Sequence, residues 1–184
     1  MRNSGSSRIA AIVYERPDTI FRELQDALQS SDNIYQLKPN ETISADQVDR
    51  VRTTASDLKR QNIHVIVYLV PLPSRSIGLM QRPDYAGFIA ETKKALTQIA
   101  TETGIEYFDY LDGASAGITD REFMDSIHPG EPAVARPLLG VSAQSERLRS
   151  VLDLPKLQQI VRDNAGKPAA RQDFYTRFGV TALE

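Results

Sequence analysis

Apolar positions along the chain switch between two spacings, and the switch outlines a fold. "RIAAIVY" (8–14) is a continuous apolar run of strand length, and "DTIFRELQDALQ" after it repeats Ile20, Leu24, Ala27 and Leu28 on one helical face. "NIYQL" (33–37) predicts a second strand. Ser44 with Gln47 forms a capping box that opens a helix carrying Val48, Val51, Ala55 and Leu58 in register and ending near Gln61. "IHVIVYLV" (63–70) is the strongest strand pattern, rich in β-branched residues and unbroken, as a strand covered on both faces should be. A further helix begins near Asp84, sets Tyr85, Phe88, Ile89, Leu96 and Ile99 on one stripe, and stops at Gly104, before "IEYFDYL" supplies a fourth strand.

Successive strand–helix units predict the α/β class, as a three-layer, flavodoxin-like, mostly parallel sheet with helices on both faces. Residues 1–140 are expected to form this α/β domain. Residues 141–184 are expected to be a C-terminal helical extension, either part of the same domain or a partly ordered tail, with one helix around Leu154 to Val161. Ligands in such folds bind beyond the carboxyl ends of the strands. Chemistry is therefore sought in "ERPDT", "KPNE", "PLPSRS" and the long "DGASAGITDREFMDSIHPGEP".

Composition then narrows the classes of function. The 184 residues suit one ordinary domain, and 22 basic against 24 acidic residues leave a net charge of -2, with no field to hold a nucleic acid. The absence of cysteine excludes disulfides, thiolate nucleophiles and iron–sulfur clusters. The longest apolar run, "IHVIVYLVPLP", is well short of the roughly 20 residues of a spanning helix, and "MRNSGSSR" lacks the apolar core of a signal peptide. The chain as given reads as soluble. There is no glycine-rich phosphate loop, and His64 and His128 have no metal-ligand spacing, so no cofactor is expected.

The candidate chemistry sits in "EFMDSIHPGEP" (122–132), where Asp125 precedes His128 by three residues. On one turn, a carboxylate at that spacing can accept a hydrogen bond from one imidazole nitrogen, leaving the other to take a proton as general base. The same residues also suit a plain turn, because Asp favours turns and Pro129-Gly130 breaks the chain. Ser74 and Ser76 follow the central strand without a flanking signature, Ser126 lies between the acid and the base, and His64 opens a strand in a structural role.

Asp-x-x-His-Pro, preceded by "GIEYFDYLD" and an amphipathic helix, together with the upstream "LKRQNIHVIVYLVPLP", resembles the closing blocks of the SGNH or GDSL hydrolases over about residues 44–140. That superfamily contains serine esterases, lipases and acyltransferases of carbohydrate and cell-wall polymers. The resemblance implies Asp125 as the orienting carboxylate and His128 as the general base. The Gly-Asp-Ser of the family falls at Pro17-Asp18-Thr19, which leaves Thr19 as the candidate nucleophile, although Asp18 or Thr19 is more simply a helix N-cap. Its oxyanion-holding Asn falls at Asn40 in Lys38-Pro39-Asn40-Glu41, which also suits a turn. The family's second, glycine-containing block has no counterpart. Two functions follow: an ester hydrolase or O-acyltransferase acting on a small-molecule or carbohydrate acyl ester, or a catalytically silent binding module for a carbohydrate or a protein partner.

Overall fold

The structure, a computed structural model, describes residues 39–168. The expected strands at 8–14 and 33–37, the helix between them, and Thr19 lie outside the described residues.

Ser44 caps the first described helix, α1 (Ala45–Arg60), its hydroxyl accepting from the Gln47 N–H at 3.4 Å, and Gln61 ends it. Strand β1 (Ile66–Leu69) is shorter than the apolar run that predicts it. A short helix follows, α2 (Ser74–Met80), in a segment that reads as a loop in the sequence. Helix α3 (Pro83–Thr103) ends at Gly104 with φ 69°, a left-handed position that a Cβ would disfavour. Strand β2 (Glu106–Asp109) then pairs with β1 in parallel, Ile66 opposite Glu106 and Leu69 opposite Asp109. An isolated parallel bridge, Leu72 to Asp112, carries the pairing just past the strand ends.

Alternation along the strands divides what each face meets. Val65, Val67 and Ile105 pack with Val48 and Ala55 of α1 and Ile99 and Ala100 of α3, one apolar cluster between two helices and the sheet. Arg52–Glu102 at 2.7 Å and the Lys59 ammonium on the Gly104 carbonyl at 3.0 Å fasten α1 to the end of α3. The other parity of β2 faces helix α4 (Glu131–Gln144): a Cβ on Gly140 would collide with the Tyr110 hydroxyl, and Ser145 after α4 donates to Glu106 Oε1 at 3.1 Å. Helix α4 thus runs from the carboxyl ends of the strands back to their amino ends. There His64 also meets Glu106 Oε1, at 2.6 Å, which gives this histidine the structural role its place in the sequence suggests.

Two further helices complete the described chain, α5 (Glu146–Val151) and α6 (Leu154–Asp163). Helix α6 returns along α4, so residues 154–163 pack on the α/β unit. The mixed α/β class is as expected, with a two-stranded parallel sheet among the described residues.

Burial raises the pKa of the Tyr110 phenol, and burial followed by the charge of Asp109 raises that of Tyr107. The Tyr107 hydroxyl is buried with no hydrogen-bond partner among the described residues. A neutral phenol is the form the fold favours, so this contribution is complete below the ordinary value of 10.0 and is lost as pH rises through the folded values. Tyr107→Phe removes an unpaired polar atom and should stabilise the protein by roughly 1 kcal/mol at neutral pH. Thermal denaturation followed by circular dichroism should show that gain widening above pH 10; a loss of stability at neutral pH would contradict it.

Candidate functional site

The segment between β2 and α4 has no regular element longer than four residues, only two 3₁₀ turns, Gly113–Ala116 and Asp120–Glu122. Carboxylates give it shape by accepting from backbone N–H groups. Asp109 holds Leu111 at 3.0 Å, Asp112 holds Ala114 at 3.0 Å, and Asp120 reaches the Ser74 N–H at the start of α2 at 2.6 Å. Each bond satisfies a donor that no helix or sheet would otherwise pair.

Asp125 does this twice and adds a third role. Its Oδ1 accepts from the N–H groups of Ile127 at 2.8 Å and His128 at 2.7 Å, and its Oδ2 meets His128 Nδ1 at 2.6 Å. The same side chain that winds the turn therefore orients the ring. Met124 N–H to the His128 carbonyl at 2.8 Å and a Phe123–Pro129 bridge close the turn at its base. The Asp125 side chain is 28% exposed and that of His128 63%. His128 Nε2 makes no hydrogen bond among the described residues. In the neutral tautomer that keeps Nδ1–H on the carboxylate, Nε2 carries the lone pair and can receive a proton from solvent or a bound hydroxyl.

The turn stands at the carboxyl ends of the strands because α2 holds it there. Ser76, fully buried, donates to the Ser126 carbonyl at 2.6 Å. Burial and that bond make Ser76 a brace for the turn, and Ser126, also buried, lies with it; Ser74 is the solvent-exposed serine of this group. Asn40 has φ 57° and donates its N–H to the Asp84 carbonyl at 2.6 Å, beside the first turn of α3. Among the described residues no hydrogen bond joins it to the Asp125–His128 turn. Thr19 lies outside the described residues, and among the described residues no group of three or more acidic or histidine side chains is placed to hold a metal ion.

The residue that sequence reading missed is Glu122. Its carboxylate is 0% exposed, and Oε1 accepts from the Arg136 guanidinium of α4 at 3.0 Å and from Gly166 N–H beyond α6 at 2.9 Å. Its Oε2 takes the Thr119 N–H at 3.4 Å and its backbone carbonyl takes Gly130 N–H at 2.8 Å. Thr119-x-x-Glu122 has capping-box spacing and was the available signal. Pro168 then lies against Gly130, where an added Cβ would be 2.8 Å from the Glu122 carbonyl oxygen and 2.9 Å from Pro168 Cα. No protein-family model, curated protein or solved structure matches the chain.

Removing one partner of a buried ion pair strands the other. Arg136→Met should cost about 3–5 kcal/mol, and Glu122→Gln, which keeps an acceptor for Gly166, should cost clearly less. Chemical denaturation of the two variants checks the order, and equal losses would mean that the charge at Glu122 is not what Arg136 answers.

Proposed function

We propose that the protein is an SGNH-like ester hydrolase or O-acyltransferase in which His128, held by Asp125, is the general base. The observation that carries this reading is the 2.6 Å contact from Nδ1 to Oδ2 with Nε2 left open on a solvent-facing turn. The attacking hydroxyl gives its proton to Nε2 as its oxygen bonds to the acyl carbon. The departing alkoxide takes that proton back as the ester C–O bond breaks. In this reading the hydroxyl comes from Thr19, from Ser74, or from a bound acceptor alcohol such as a carbohydrate, and Asn40 with nearby backbone N–H groups meets the developing oxyanion. The three-layer, flavodoxin-like arrangement accompanies it, with α1 and α3 against one face of β1 and β2 and α4 against the other.

A second reading is favoured by one feature of the sequence: Pro17-Asp18-Thr19 stands where Gly-Asp-Ser would be expected. Losing one member of a Ser-His-Asp unit costs on the order of 10⁴-fold or more in rate. The silent alternative keeps the rim as a binding surface for a carbohydrate or protein.

Hydrolysis of p-nitrophenyl acetate by the wild type, His128→Ala and Thr19→Ala separates the two. The hydrolase reading expects His128→Ala to lower kcat by roughly 10³-fold or more. Thr19→Ala falls equally only if threonine is the nucleophile. Rates for all three that match buffer would remove simple ester hydrolysis and put the binding reading ahead of transfer to a dedicated acceptor alcohol.

A further inference from the structure

Helices α4 and α6 lie side by side without closing completely, leaving a cleft of about 280 Å³. Val134 and Leu138 of α4 face Leu157 and Ile160 of α6 across it, and Met124 and Pro129 form one end. Among the lining side chains only Glu131 is charged. Met124 and Pro129 are the immediate chain neighbours of Asp125 and His128, and the Met124 N–H bond to the His128 carbonyl holds them at the base of that turn. An apolar recess and a poised imidazole thus share two adjoining backbone positions.

We propose that this cleft binds a single linear acyl chain of medium length, with the carboxyl end presented to His128. The assignment rests on the hydrolase reading for the chemistry at His128, and on the cleft itself for the chain. Three features select this occupant. The lining offers aliphatic and thioether contact and almost no hydrogen-bonding groups, which suits methylenes and disfavours a sugar ring, whose hydroxyls would lose water without replacement. The groove is open along one side, and its volume of about 280 Å³ gives room for one chain of about eight carbons. Met124 and Pro129, at one end of the cleft, adjoin Asp125 and His128 in the chain, so the turn that carries the base stands at that end.

The recess depends on the return of the C-terminal segment. Glu122 holds Gly166, and Pro168 abuts Gly130, so α6 is fixed beside α4 by the same carboxylate that fixes the start of the His128 turn. Acyl-chain recognition would therefore belong to residues beyond the Asp-x-x-His block.

The test uses the full chain with sodium octanoate and sodium acetate as probes, read by amide resonances in ¹H–¹⁵N spectra, beside a p-nitrophenyl ester series from acetyl to dodecanoyl. Octanoate should shift the resonances of Met124, Val134, Leu138, Leu157 and Ile160, and acetate should leave them in place. Leu157→Trp, at a partly exposed lining position, should weaken octanoate binding about tenfold or more. Each methylene that enters should raise kcat/KM by up to about fourfold, with a plateau near octanoyl. Octanoate binding without turnover of any ester would uphold the chain site and sink the hydrolase reading. Turnover that depends on His128 but shows no preference beyond acetyl, with the cleft resonances unmoved by octanoate, would overturn the chain site and leave the hydrolase reading intact. Octanoate shifts that persist unchanged in a folded Leu157→Trp protein would also overturn it.

Discussion

A carboxylate with no access to water organises the end of the molecule where the candidate chemistry lies. Glu122 can be buried because the Arg136 guanidinium offsets its charge and backbone N–H groups of Gly166 and Thr119 occupy its remaining lone pairs. Each of those donors comes from a different part of the chain: the interior of α4, the segment beyond α6, and the turn just before Glu122 itself. Its backbone carbonyl adds Gly130, the residue that opens α4. The start of α4, the end of the described chain and the base of the His128 turn are therefore positioned by one residue. Buried charges are costly enough that alternatives leaving this one unpaired are strongly disfavoured.

Asp125 works on a smaller scale by the same means. One oxygen winds the turn through two N–H groups and the other aims the imidazole, so ring orientation and loop conformation are set together. The turn is braced from outside by Ser76, whose buried hydroxyl reaches the Ser126 carbonyl from α2. At the other end of the sheet His64 and Glu106 make a pair of equal length, with Ser145 on the same carboxylate oxygen. What separates the two pairs is their surroundings: the His64 side chain is 30% exposed and both its partner and Ser145 are engaged in joining elements, whereas the His128 side chain is 63% exposed. A histidine–carboxylate contact alone does not identify a base; the role proposed for His128 rests as well on its exposure beyond the carboxyl ends of the strands.

Local features were legible in the sequence because their causes lie within a few residues. Ser44 capped α1 as its spacing with Gln47 predicts, Gly104 ended α3 in the left-handed region, and the β-branched run around Ile66 formed the strand beside "IEYFDYL". Helix α2 was missed because "PLPSRS" carries proline and serine, which favour turns, while the buried side chains of Ser76 and Ile77 hold it through contacts made elsewhere. The long helix α4 was obscured by Pro132 and Pro137, both buried in the fold.

The sequence by itself determined the α/β class and the caps, and it set Asp125 and His128 three residues apart, a spacing at which a carboxylate and an imidazole can meet on one turn; the structure shows that they do. Only the tertiary structure decided that Ser76 is a brace, that Asn40 sits against the start of α3, that Glu122 is buried under Arg136, and that α6 folds back to leave an apolar cleft lined in part by Met124 and Pro129. Those outcomes depend on partners up to 50 residues apart, as for Ser76 and Ser126. At that separation composition and spacing no longer choose the partner; burial does, because every polar group taken out of water must find one.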